Sequence, residues 1–435
     1  MKFLGLLLVP VALMLSSCAP FADDPAQTMA TATEEIVTDT AQAMRETGVS
    51  TSTYAATASK TPKPTLTPEL LSTSTLSPSS TLLLNSPTIT PTFTPASAMF
   101  RGDLERTGVY ETGGPTKLED YVWKFQTSEA IASSPAILDG VVYFGSWDGH
   151  LYAVKADTGQ EKWKFKTGDV VLSSPAILDG VIYFGSWDGH LYAVNADTGQ
   201  EKWKFKTGNW VSSSPSISSG IVYFGSYDGH LYAVDANTGQ EKWKFKTGDW
   251  VLSSPSISGG IVYFGSGDGH LYAVNAQSGR EEWKFKTIEA VESSPSISSG
   301  IVYFGSWDGH LYAVNADTGQ EKWNFKTGGI VLSSVATLHG TVYFGSWDGH
   351  LYAVDANTGQ EKWNFETSEW ISSSPSISGR IVYFGSYDSH LYAVDANTGQ
   401  EKWNFKTGNW VSSSPSISSG IVYFGSWDGH LYAVR

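Results

Sequence analysis

Three residue types used in acyl-transfer chemistry recur together along most of the chain. In the first copy Ser146, Asp148 and His150 fall within five positions, and serine, histidine and aspartate are the groups of a hydrolytic triad. The same trio stands in all eight copies, whereas a triad needs one nucleophile beside one oxyanion hole. The segment Trp147-Asp148-Gly149 also suits a three-residue hairpin loop with Gly149 in the left-handed conformation, where Asp and Ser cap backbone amides. We therefore predict a turn and no catalytic residue.

The histidines of these copies are a second candidate, for metal binding. Eight of them run from His150 to His430 at intervals of 40 residues. A metal site needs three or four donors that converge on one ion, and residues that occur once in each repeat are held apart by the repeats themselves. Cys18 is the single cysteine of the sequence, which excludes an intramolecular disulfide and a cysteine-built zinc or iron–sulfur site. We predict no metal site.

A period of 40 residues from residue 121 onward defines the elements that position these side chains. The string YFGS begins eight times, first at Tyr143, and such a period indicates a repeat architecture. Each unit reads as four short strands, called A to D from inside to outside. B and C are almost continuously apolar, D alternates, and A consists of small residues, which is typical of a propeller blade. In the first unit the predicted strands are 131–137, 141–146, 150–154 and 161–166. The sequence therefore predicts an all-β, eight-bladed propeller with four-stranded antiparallel blades.

The two ends of the repeat array predict a closed ring. The eighth copy ends after its strand C at Arg435, and a sequence with the pattern of strand D, Tyr121-Val122-Trp123-Lys124-Phe125, precedes the first copy. We expect this N-terminal strand to complete the last blade. Such a join leaves no blade with an open edge.

A tryptophan motif relates these repeats to a known family. The segment from Ala153 to Trp163 resembles the docking motif AxDxxTGxxxW of PQQ-like eight-bladed propellers, and the match extends over seven copies, with Trp123 as an isolated eighth. In that family the tryptophan packs against the neighbouring blade and Thr-Gly forms the preceding turn. The motif's Asp is Asn in three copies and Lys155 in another, so those turns are expected to be held less firmly. The resemblance implies eight structural docking tryptophans: Trp123, Trp163, Trp203, Trp243, Trp283, Trp323, Trp363 and Trp403.

The same resemblance raises the question of a quinone cofactor. As the resemblance implies, enzymes of the family clamp the quinone with an adjacent cysteine pair and a calcium ion, using residues unique to particular blades. Cys18 cannot supply the pair, and copies this alike offer few asymmetric polar groups. A general acid and a general base need different environments to separate their pKa values. We predict no cofactor and no enzymatic activity, with a PQQ-dependent quinoprotein as the alternative.

Aromatic residues in the loops are the candidate binding surface. In a four-stranded antiparallel blade the B–C and D–A loops emerge on the same face, and Gly267 is the one B–C hairpin without a ring. Such a face resembles the amphipathic hot-spot surface of a binding protein. The alternative interpretation is that the rings pack over neighbouring turns and seal the blade ends. The eleven residues are Trp147, Trp187, Tyr227, Trp307, Trp347, Tyr387 and Trp427 in B–C hairpins and Trp210, Trp250, Trp370 and Trp410 in D–A connections.

The first 120 residues differ in character from the repeats. Residues 1–17 have a basic start and a short apolar run, which indicates an export signal. The following Cys18 ends a Leu-Ser-Ser-Cys segment that resembles the bacterial lipobox, so we predict lipidation there. Residues 18–98 are rich in Ser, Thr and Pro and predict a disordered stalk, and 99–120 form a lead-in similar to that of the same family. The lead-in contains Arg-Gly-Asp at 101–103, an adhesion tripeptide that the family similarity already explains.

These patterns combine into a prediction of function. The formal net charge of −15 argues against nucleic-acid binding, and the lipid anchor is the expected contact with a membrane. The family includes a lipid-anchored scaffold of outer-membrane assembly, although the long stalk and the near-identical blades differ from it. We predict an exported, lipid-anchored monomer of the bacterial cell envelope whose propeller, outside the cytoplasm, is a scaffold for envelope proteins or polysaccharide. A carbohydrate-binding propeller is the other non-enzymatic alternative.

Overall fold

The computed structural model describes residues 97–119 and 121–435. This part of the chain contains 34 β-strands and no α-helix, and its repeats form eight four-stranded sheets. The predictions made for residues 1–96, including the signal peptide, Cys18 and the stalk up to that point, lie outside the described residues. No helix within the described ranges combines the length and the apolar character needed to cross a membrane.

The strands are numbered in chain order, and each blade takes four of them. The three that precede the first complete blade are β1 (Ser97–Ala98), β2 (Val109–Tyr110) and β3 (Tyr121–Gln126). Blade 1 has β4 (Ala136–Leu138), β5 (Val141–Gly145), β6 (His150–Lys155) and β7 (Glu161–Lys166); blade 2 has β8 (Ala176–Leu178), β9 (Val181–Ser186), β10 (His190–Asn195) and β11 (Glu201–Lys206). Blade 3 has β12 (Ser216–Ser218), β13 (Ile221–Ser226), β14 (His230–Asp235) and β15 (Glu241–Lys246); blade 4 has β16 (Ser256–Ser258), β17 (Ile261–Ser266), β18 (His270–Asn275) and β19 (Glu281–Lys286). Blade 5 has β20 (Ser296–Ser298), β21 (Ile301–Gly305), β22 (His310–Asn315) and β23 (Glu321–Lys326); blade 6 has β24 (Ala336–Leu338), β25 (Thr341–Gly345), β26 (His350–Asp355) and β27 (Glu361–Glu366). Blade 7 has β28 (Ser376–Ser378), β29 (Ile381–Gly385), β30 (His390–Asp395) and β31 (Glu401–Lys406); blade 8 has β32 (Ser416–Ser418), β33 (Ile421–Gly425) and β34 (His430–Val434).

The apolar core lies between the blades. Each apolar cluster combines two neighbouring sheets; one of them joins Tyr143 of blade 1 to Ile182 and Phe184 of blade 2. Phe165 on the outer strand of blade 1 packs edge-on against Phe184, with ring centroids 6.0 Å apart. The continuous apolar runs of the second and third strands follow from this arrangement, because both faces of each sheet are covered.

The inner strands are shorter than the sequence predicts. The expected strand over 131–137 is observed as the three residues Ala136–Leu138, so that boundary was wrong. The reason is that Ser134 donates its backbone N–H to a serine hydroxyl of the next blade and not to a ladder partner. The second strand ends one residue earlier than predicted, at Gly145, and the third extends one residue further, to Lys155. The outer strand matches its prediction at Glu161–Lys166.

The ring is closed, which confirms the predicted fold class. Around the axis, the backbone N–H of one serine in each blade donates to the hydroxyl of its counterpart in the next blade, in an unbroken circle of eight bonds of 2.8–3.2 Å. The bond that joins the last blade to the first runs from Ser414 to Ser134. Strand β3 pairs antiparallel with β34, with Trp123 opposite Ala433, and completes blade 8 in the order β3-β34-β33-β32.

The lead-in runs across the inner strands of many blades, which the sequence did not predict. Strand β1 pairs with β8 of blade 2, and β2 pairs in parallel with β28 of blade 7. Between them the backbone oxygens of Leu104, Glu105, Thr107 and Gly108 accept inner-strand amides of blades 4, 5, 6 and 7 at 2.8–3.0 Å. Because an inner strand has a sheet partner on one side only, these bonds satisfy amides that its own blade leaves unpaired.

Two arginines anchor this segment within the ring. Arg106 is fully buried and donates to the carbonyl oxygens of Pro255 and Ser214 at 2.7 and 3.1 Å. Arg101 is 2% exposed and donates to the carbonyl oxygens of Ser334 and Val335 in blade 6. Burial lowers the pKa of Arg101 to about 10 and that of Arg106 to about 9, so both remain charged at neutral pH. The Arg-Gly-Asp arginine is therefore enclosed and not presented to a receptor.

The lead-in also replaces the turn that blade 8 lacks. In blade 6 the indole of Trp363 donates to the carbonyl oxygen of Ala396, in the turn of the next blade, at 3.1 Å. Blade 8 has no such turn, and the indole of Trp403 donates at 3.0 Å to the carbonyl oxygen of Pro115 instead. The Tyr383 hydroxyl donates to the same oxygen at 3.0 Å. One loop of the lead-in thus fills the position where the ring is cut.

Candidate functional site: an aromatic arc around one carboxylate

The eight docking tryptophans lie between blades. Seven donate their indole N–H to an alanine carbonyl oxygen of the next blade at 2.9–3.1 Å, and Trp403 uses Pro115 as described. The indole of Trp163 lies so close to Gly199 that a Cβ there would be 2.7 Å from the ring. The Thr-Gly turn therefore needs its glycine for ring contact as well as for its positive φ. These contacts place the eight tryptophans between blades, and the other candidate aromatic residues lie in the loops.

The loops divide between two faces of the ring. The B–C hairpin and the D–A connection meet on one face, where the Trp147 N–H donates to the Ala130 carbonyl oxygen at 2.9 Å. The A–B and C–D turns meet on the opposite face, where the Ala156 N–H donates to the Gly140 carbonyl oxygen at 2.9 Å. We call the first of these the upper face. All eleven candidate aromatic residues belong to its loops.

The eleven rings form one continuous run, here called the aromatic arc. Ten successive pairs have ring centroids 4.5–6.4 Å apart. The two ends, Trp307 and Trp347, flank the D–A connection that carries Ile330 in place of a tryptophan. In order the arc consists of Trp307, Trp250, Tyr227, Trp210, Trp187, Trp147, Trp427, Trp410, Tyr387, Trp370 and Trp347. The sequence placed these rings on one face, and the structure joins them into a single surface.

The arc remains continuous across Gly267 because a neighbouring ring occupies the space above it. A Cβ at Gly267 would lie 2.4 Å from Cε2 of Trp250, so the indole lies directly over the glycine. Trp250 then reaches Trp307 of blade 5, with centroids 6.0 Å apart. Gly267, the one B–C hairpin residue without a ring, thus leaves the space that the Trp250 indole occupies.

The rings are partly buried against each other and partly open to solvent. Trp347 and Trp370 stack in parallel with centroids 4.5 Å apart, and Trp187 and Trp210 stack at 4.7 Å. Exposure ranges from 8% for Trp187 to 40% for Trp370. Both interpretations of the sequence therefore describe part of the arrangement: the rings cover the turns beneath them, and together they present an aromatic surface.

Whether a B–C indole N–H has a hydrogen-bond partner depends on one residue of the D–A connection, which stands two positions after the aromatic position and nearer the axis. Three of them donate to serine hydroxyls at 2.7–2.8 Å: Trp187 to Ser212, Trp347 to Ser372 and Trp427 to Ser412. The Nε1 of Trp147 is buried without a hydrogen-bond partner, since the equivalent residues beside it are Ala132 and Leu172. A buried donor without a partner costs about 1–3 kcal/mol.

One blade carries a carboxylate at this axial position. The eight residues there are Ala132, Leu172, Ser212, Leu252, Glu292, Leu332, Ser372 and Ser412. Oε2 of Glu292 accepts the indole N–H of Trp307 at 3.1 Å. Burial raises the pKa of Glu292 to about 7, against the lowering effect of that hydrogen bond. Sequence reasoning missed this residue, although a single charge at a position that is otherwise apolar or serine was a visible signal.

The charge of Glu292 also affects two tyrosines of the arc. Burial raises the pKa of Tyr227, and the charges of Asp249 and Glu292 raise it further. Burial likewise raises the pKa of Tyr387, to which the Glu292 charge also contributes.

The recurring Ser, Asp and His build the hairpins of this face. The Asp148 N–H donates to Oγ of Ser146 at 3.2 Å, and Oδ1 of Asp148 accepts the His150 N–H at 3.1 Å. Oδ2 accepts the Tyr152 hydroxyl at 2.7 Å. Gly149 has φ 79°, the left-handed value that such a loop requires, and Ser389 adopts φ 71° at the equivalent position. The carboxylate is saturated by turn donors and is poorly placed to activate a serine.

The upper face is strongly acidic in composition. Its B–C hairpins carry eight aspartates and its D–A connections six further acidic residues, while the same loops contain no lysine or arginine. Within residues 97–119 and 121–435, no three His, Cys, Asp or Glu side chains converge in a way that would hold a metal ion. A quinone cofactor of the tricarboxylate type does not fit this donor set, since the arc offers it one carboxylate and no cation to pair with.

Comparison with known proteins places the chain among the propellers of one family. The family model described as outer membrane protein assembly factor BamB matches residues 119–243, 188–329 and 308–435. No curated protein sequence matches the chain.

Solved structures share the fold. BamB from Moraxella catarrhalis superposes with a TM-score of 0.65 at 18% identity, covering 73% of this chain and 99% of its own. The computationally designed Ika8 protein gives 0.65 at 23% identity, with 73% and 98% covered. The quinohemoprotein alcohol dehydrogenase from Comamonas testosteroni gives 0.68 at 16% identity, with 77% and 80% covered. At these identities the likeness is one of fold.

Proposed function

The chain belongs to the family described as outer membrane protein assembly factor BamB, and from this premise we propose that it is a non-enzymatic scaffold of the bacterial cell envelope. It binds a partner protein of the envelope through the aromatic arc of the upper face. The observation that carries the proposal is the unbroken contact of eleven aromatic rings on one side of the ring. An extended polysaccharide is the other polymer that such a surface suits.

The physical properties of the arc support a binding role. Tryptophan and tyrosine offer large contact areas with few rotatable bonds, so little conformational entropy is lost when a partner covers them. The stacking of Trp347 on Trp370 and of Trp187 on Trp210 fixes these rings before binding. A preorganised aromatic surface loses less free energy to ordering on association.

The polar groups of the upper face support a role without chemistry. The Ser, Asp and His that recur in each blade are engaged in turn hydrogen bonds, as at Asp148. Glu292 is the one carboxylate at the axial position and has an indole, not a second titratable group, as its hydrogen-bond partner. A general acid–base pair with separated pKa values needs two such groups.

Anchoring by Cys18 completes the proposal. A lipid on this cysteine and a stalk of about 80 residues hold the propeller outside the cytoplasm, at a distance from the membrane on the order of 50 Å. Replacement of Cys18 with Ser is expected to release the protein from the membrane fraction, and mass spectrometry of the mature N-terminus is expected to find acylated Cys18. A Cys18→Ser protein that stays in the membrane fraction would contradict the anchor.

The binding proposal is tested with a variant of the arc and a matched control. The test variant changes four rings to serine: Trp210, Trp250, Trp370 and Trp410. The control changes four exposed glutamines in turns of the opposite face to serine: Gln200, Gln240, Gln320 and Gln360. Partners captured from native membranes are identified by mass, purified, and titrated against each protein, with purified envelope polysaccharide as a parallel ligand.

The expected result is that the wild type and the control bind the same partner and that the arc variant binds at least tenfold more weakly. Circular dichroism and the melting temperature establish that the arc variant keeps its fold. A folded arc variant with unchanged affinity would refute the proposal. Loss of polysaccharide binding alone would assign the arc to the carbohydrate alternative.

A further inference from the structure

We propose that the aromatic arc receives an organic cation with N–H donors, the guanidinium or ammonium group of an arginine or lysine on the partner protein, at the carboxylate of Glu292. This inference rests on the proposed function and names the chemistry that the partner must present. The geometry that carries it is a lone carboxylate held by Trp307, the ring at one end of the aromatic arc, which packs against Trp250.

The carboxylate of Glu292 is fixed but incompletely paired. Its Oε2 accepts the Trp307 indole N–H at 3.1 Å, which sets the direction of the group. Among the residues that the structure describes, no donor contacts Oε1, and no lysine, arginine or histidine forms an ion pair with this carboxylate. A partly buried carboxylate with a free oxygen gains most from a charged donor, because charge-assisted hydrogen bonds are about twice as strong as neutral ones.

Aromatic rings continue from the indole that holds this carboxylate. Trp307 donates to Glu292 and contacts Trp250, which in turn stacks against Tyr227 with centroids 6.4 Å apart. The faces of indole and phenol rings attract cations through their quadrupole. The rings and the carboxylate therefore favour the same kind of ligand.

The loops of the upper face supply no cation for Glu292, and Lys286, at the end of the outer strand before its loop, forms no ion pair with it. The B–C and D–A loops contain no lysine or arginine, and they carry many acidic residues. The chain as a whole has a formal net charge of −15. A field of this sign raises the local concentration of a cationic partner and its rate of association.

Two features favour an N–H cation over a quaternary ammonium ion. The free Oε1 of Glu292 can accept from a hydrogen-bond donor, which a quaternary ammonium ion lacks. The arc is also an open run of partly exposed rings and not a closed box, with Trp370 40% exposed. An open aromatic surface suits a side chain that a partner projects into it, and a guanidinium group both stacks on rings and donates to carboxylates.

The test uses small cations, so that it does not depend on the partner. N-acetyl-arginine amide, N-acetyl-lysine amide and tetramethylammonium chloride are titrated at pH 8 into the full chain, with the Trp307 indole N–H signal and tryptophan fluorescence as readouts. The test variant is Glu292→Gln, whose side-chain oxygen still accepts from Trp307. The matched control is Glu289→Gln, an exposed residue of the same loop. A second variant, Glu292→Leu, introduces the residue that blades 2, 4 and 6 already carry at this position.

The arginine or lysine probe is expected to shift the Trp307 signal in a saturable way in the wild type and in Glu289→Gln. Both Glu292 variants are expected to bind it at least tenfold more weakly. Equal binding by wild type and Glu292→Gln would overturn the proposal, and so would binding of tetramethylammonium alone.

Partner titration separates this inference from the proposed function. If Glu292→Gln binds the purified partner as the wild type does while the four-tryptophan variant does not, the cation site is refuted and the arc remains the binding surface. If both variants bind as the wild type does, the binding role of the arc fails as well. A tenfold loss with Glu292→Gln supports both.

Discussion

Replacing Glu292 with glutamine is expected to raise stability by an amount that grows from pH 4.5 to about 7 and stays constant above that. Burial raises the pKa of Glu292 from 4.5 to about 7 in the folded protein, so the folded state holds this proton more tightly than the unfolded state. Below pH 4.5 the carboxyl is protonated in both the folded and the unfolded state, so its ionisation does not change the free energy of unfolding. As pH rises from 4.5 to 7 the unfolded state releases the proton first, and folding loses stability until the folded carboxyl also ionises.

The size of the effect follows from the shift. Each unit of pKa difference corresponds to about 1.4 kcal/mol, so full ionisation costs the folded protein about 3 kcal/mol. Glutamine keeps the hydrogen bond to Trp307 and does not ionise. With an unfolding entropy of about 2.1 cal/mol/K per residue over the described domain, this difference raises the melting temperature by about 4 °C. Tyr227 and Tyr387 stay neutral in this range because burial raises the pKa of both.

Calorimetric melting of the wild type and Glu292→Gln at intervals from pH 4.5 to 8.5 measures the difference. The two melting temperatures should nearly coincide at pH 4.5, separate up to about pH 7 with the variant higher, and keep a constant difference above that pH. The exposed Glu289→Gln, which removes the same charge from the same loop, should follow the wild type throughout. Parallel curves for wild type and Glu292→Gln would refute the burial of a costly carboxylate inside the arc.

Three further substitutions test other parts of the structure. Ser389→Gly removes a side chain from a left-handed position with φ 71° and should stabilise the protein by about 1 kcal/mol; an unchanged denaturation midpoint would contradict this. Arg106→Met removes the arginine donor from the carbonyl oxygens of Ser214 and Phe100, whereas that of Pro255 keeps the Ser216 hydroxyl; it should destabilise by about 3 kcal/mol, with faster proteolysis of the lead-in, and resistance equal to wild type would refute the anchoring role. Gly267→Trp must displace the Trp250 indole and should cost about 2 kcal/mol, whereas Tyr227→Trp, where a ring already stands, should be tolerated; equal stability of the two would disprove the close contact.

The fold was largely predictable from the sequence because its signals are local and repeated. The YFGS strings set the number of blades, the apolar runs identified buried strands, and the detached strand around Trp123 indicated closure, which the pairing with β34 confirms. The inner-strand boundary was not predictable. Residues 131–135 resemble a strand in composition, but Ser134 bonds to a side chain 40 residues away, and no local pattern reports such a contact.

The burial of the lead-in is a second feature that local sequence patterns do not predict. Its phrase FRGDLERTGVY contains two arginines and looks like an exposed polar segment. Arg106 is nevertheless fully buried, since carbonyl oxygens from blades 3 and 4 converge on its guanidinium. An arginine is buried only where enough acceptors surround it, and those acceptors lie more than 100 residues away in sequence.

The sequence predicted the face on which the candidate site lies, but not the contacts between its rings or its carboxylate. The alternation of loops between two faces placed all eleven rings on one face, because antiparallel strands dictate it. The order in which the rings contact each other was not predictable. Trp250 packs over Gly267 and contacts Trp307, and no local sequence pattern indicates this contact. Glu292 was not predicted because it stands in a stretch of mostly small residues that resembles an inner strand.

The near-identity of the blades itself indicates where function resides. The YFGS string, the hairpin aspartate of which Asp148 is the first, and the HLYAV strand are the same in all eight copies. The aromatic D–A and B–C positions and the axial position of Glu292 differ from blade to blade in size and charge, and so do turn residues of the opposite face, such as Lys155 and His339. Because the hydrogen-bonded framework is uniform, it cannot favour one direction of approach over another. A preference at the upper face must come from its own variable positions, and Glu292 is the residue that gives the axial position a charge.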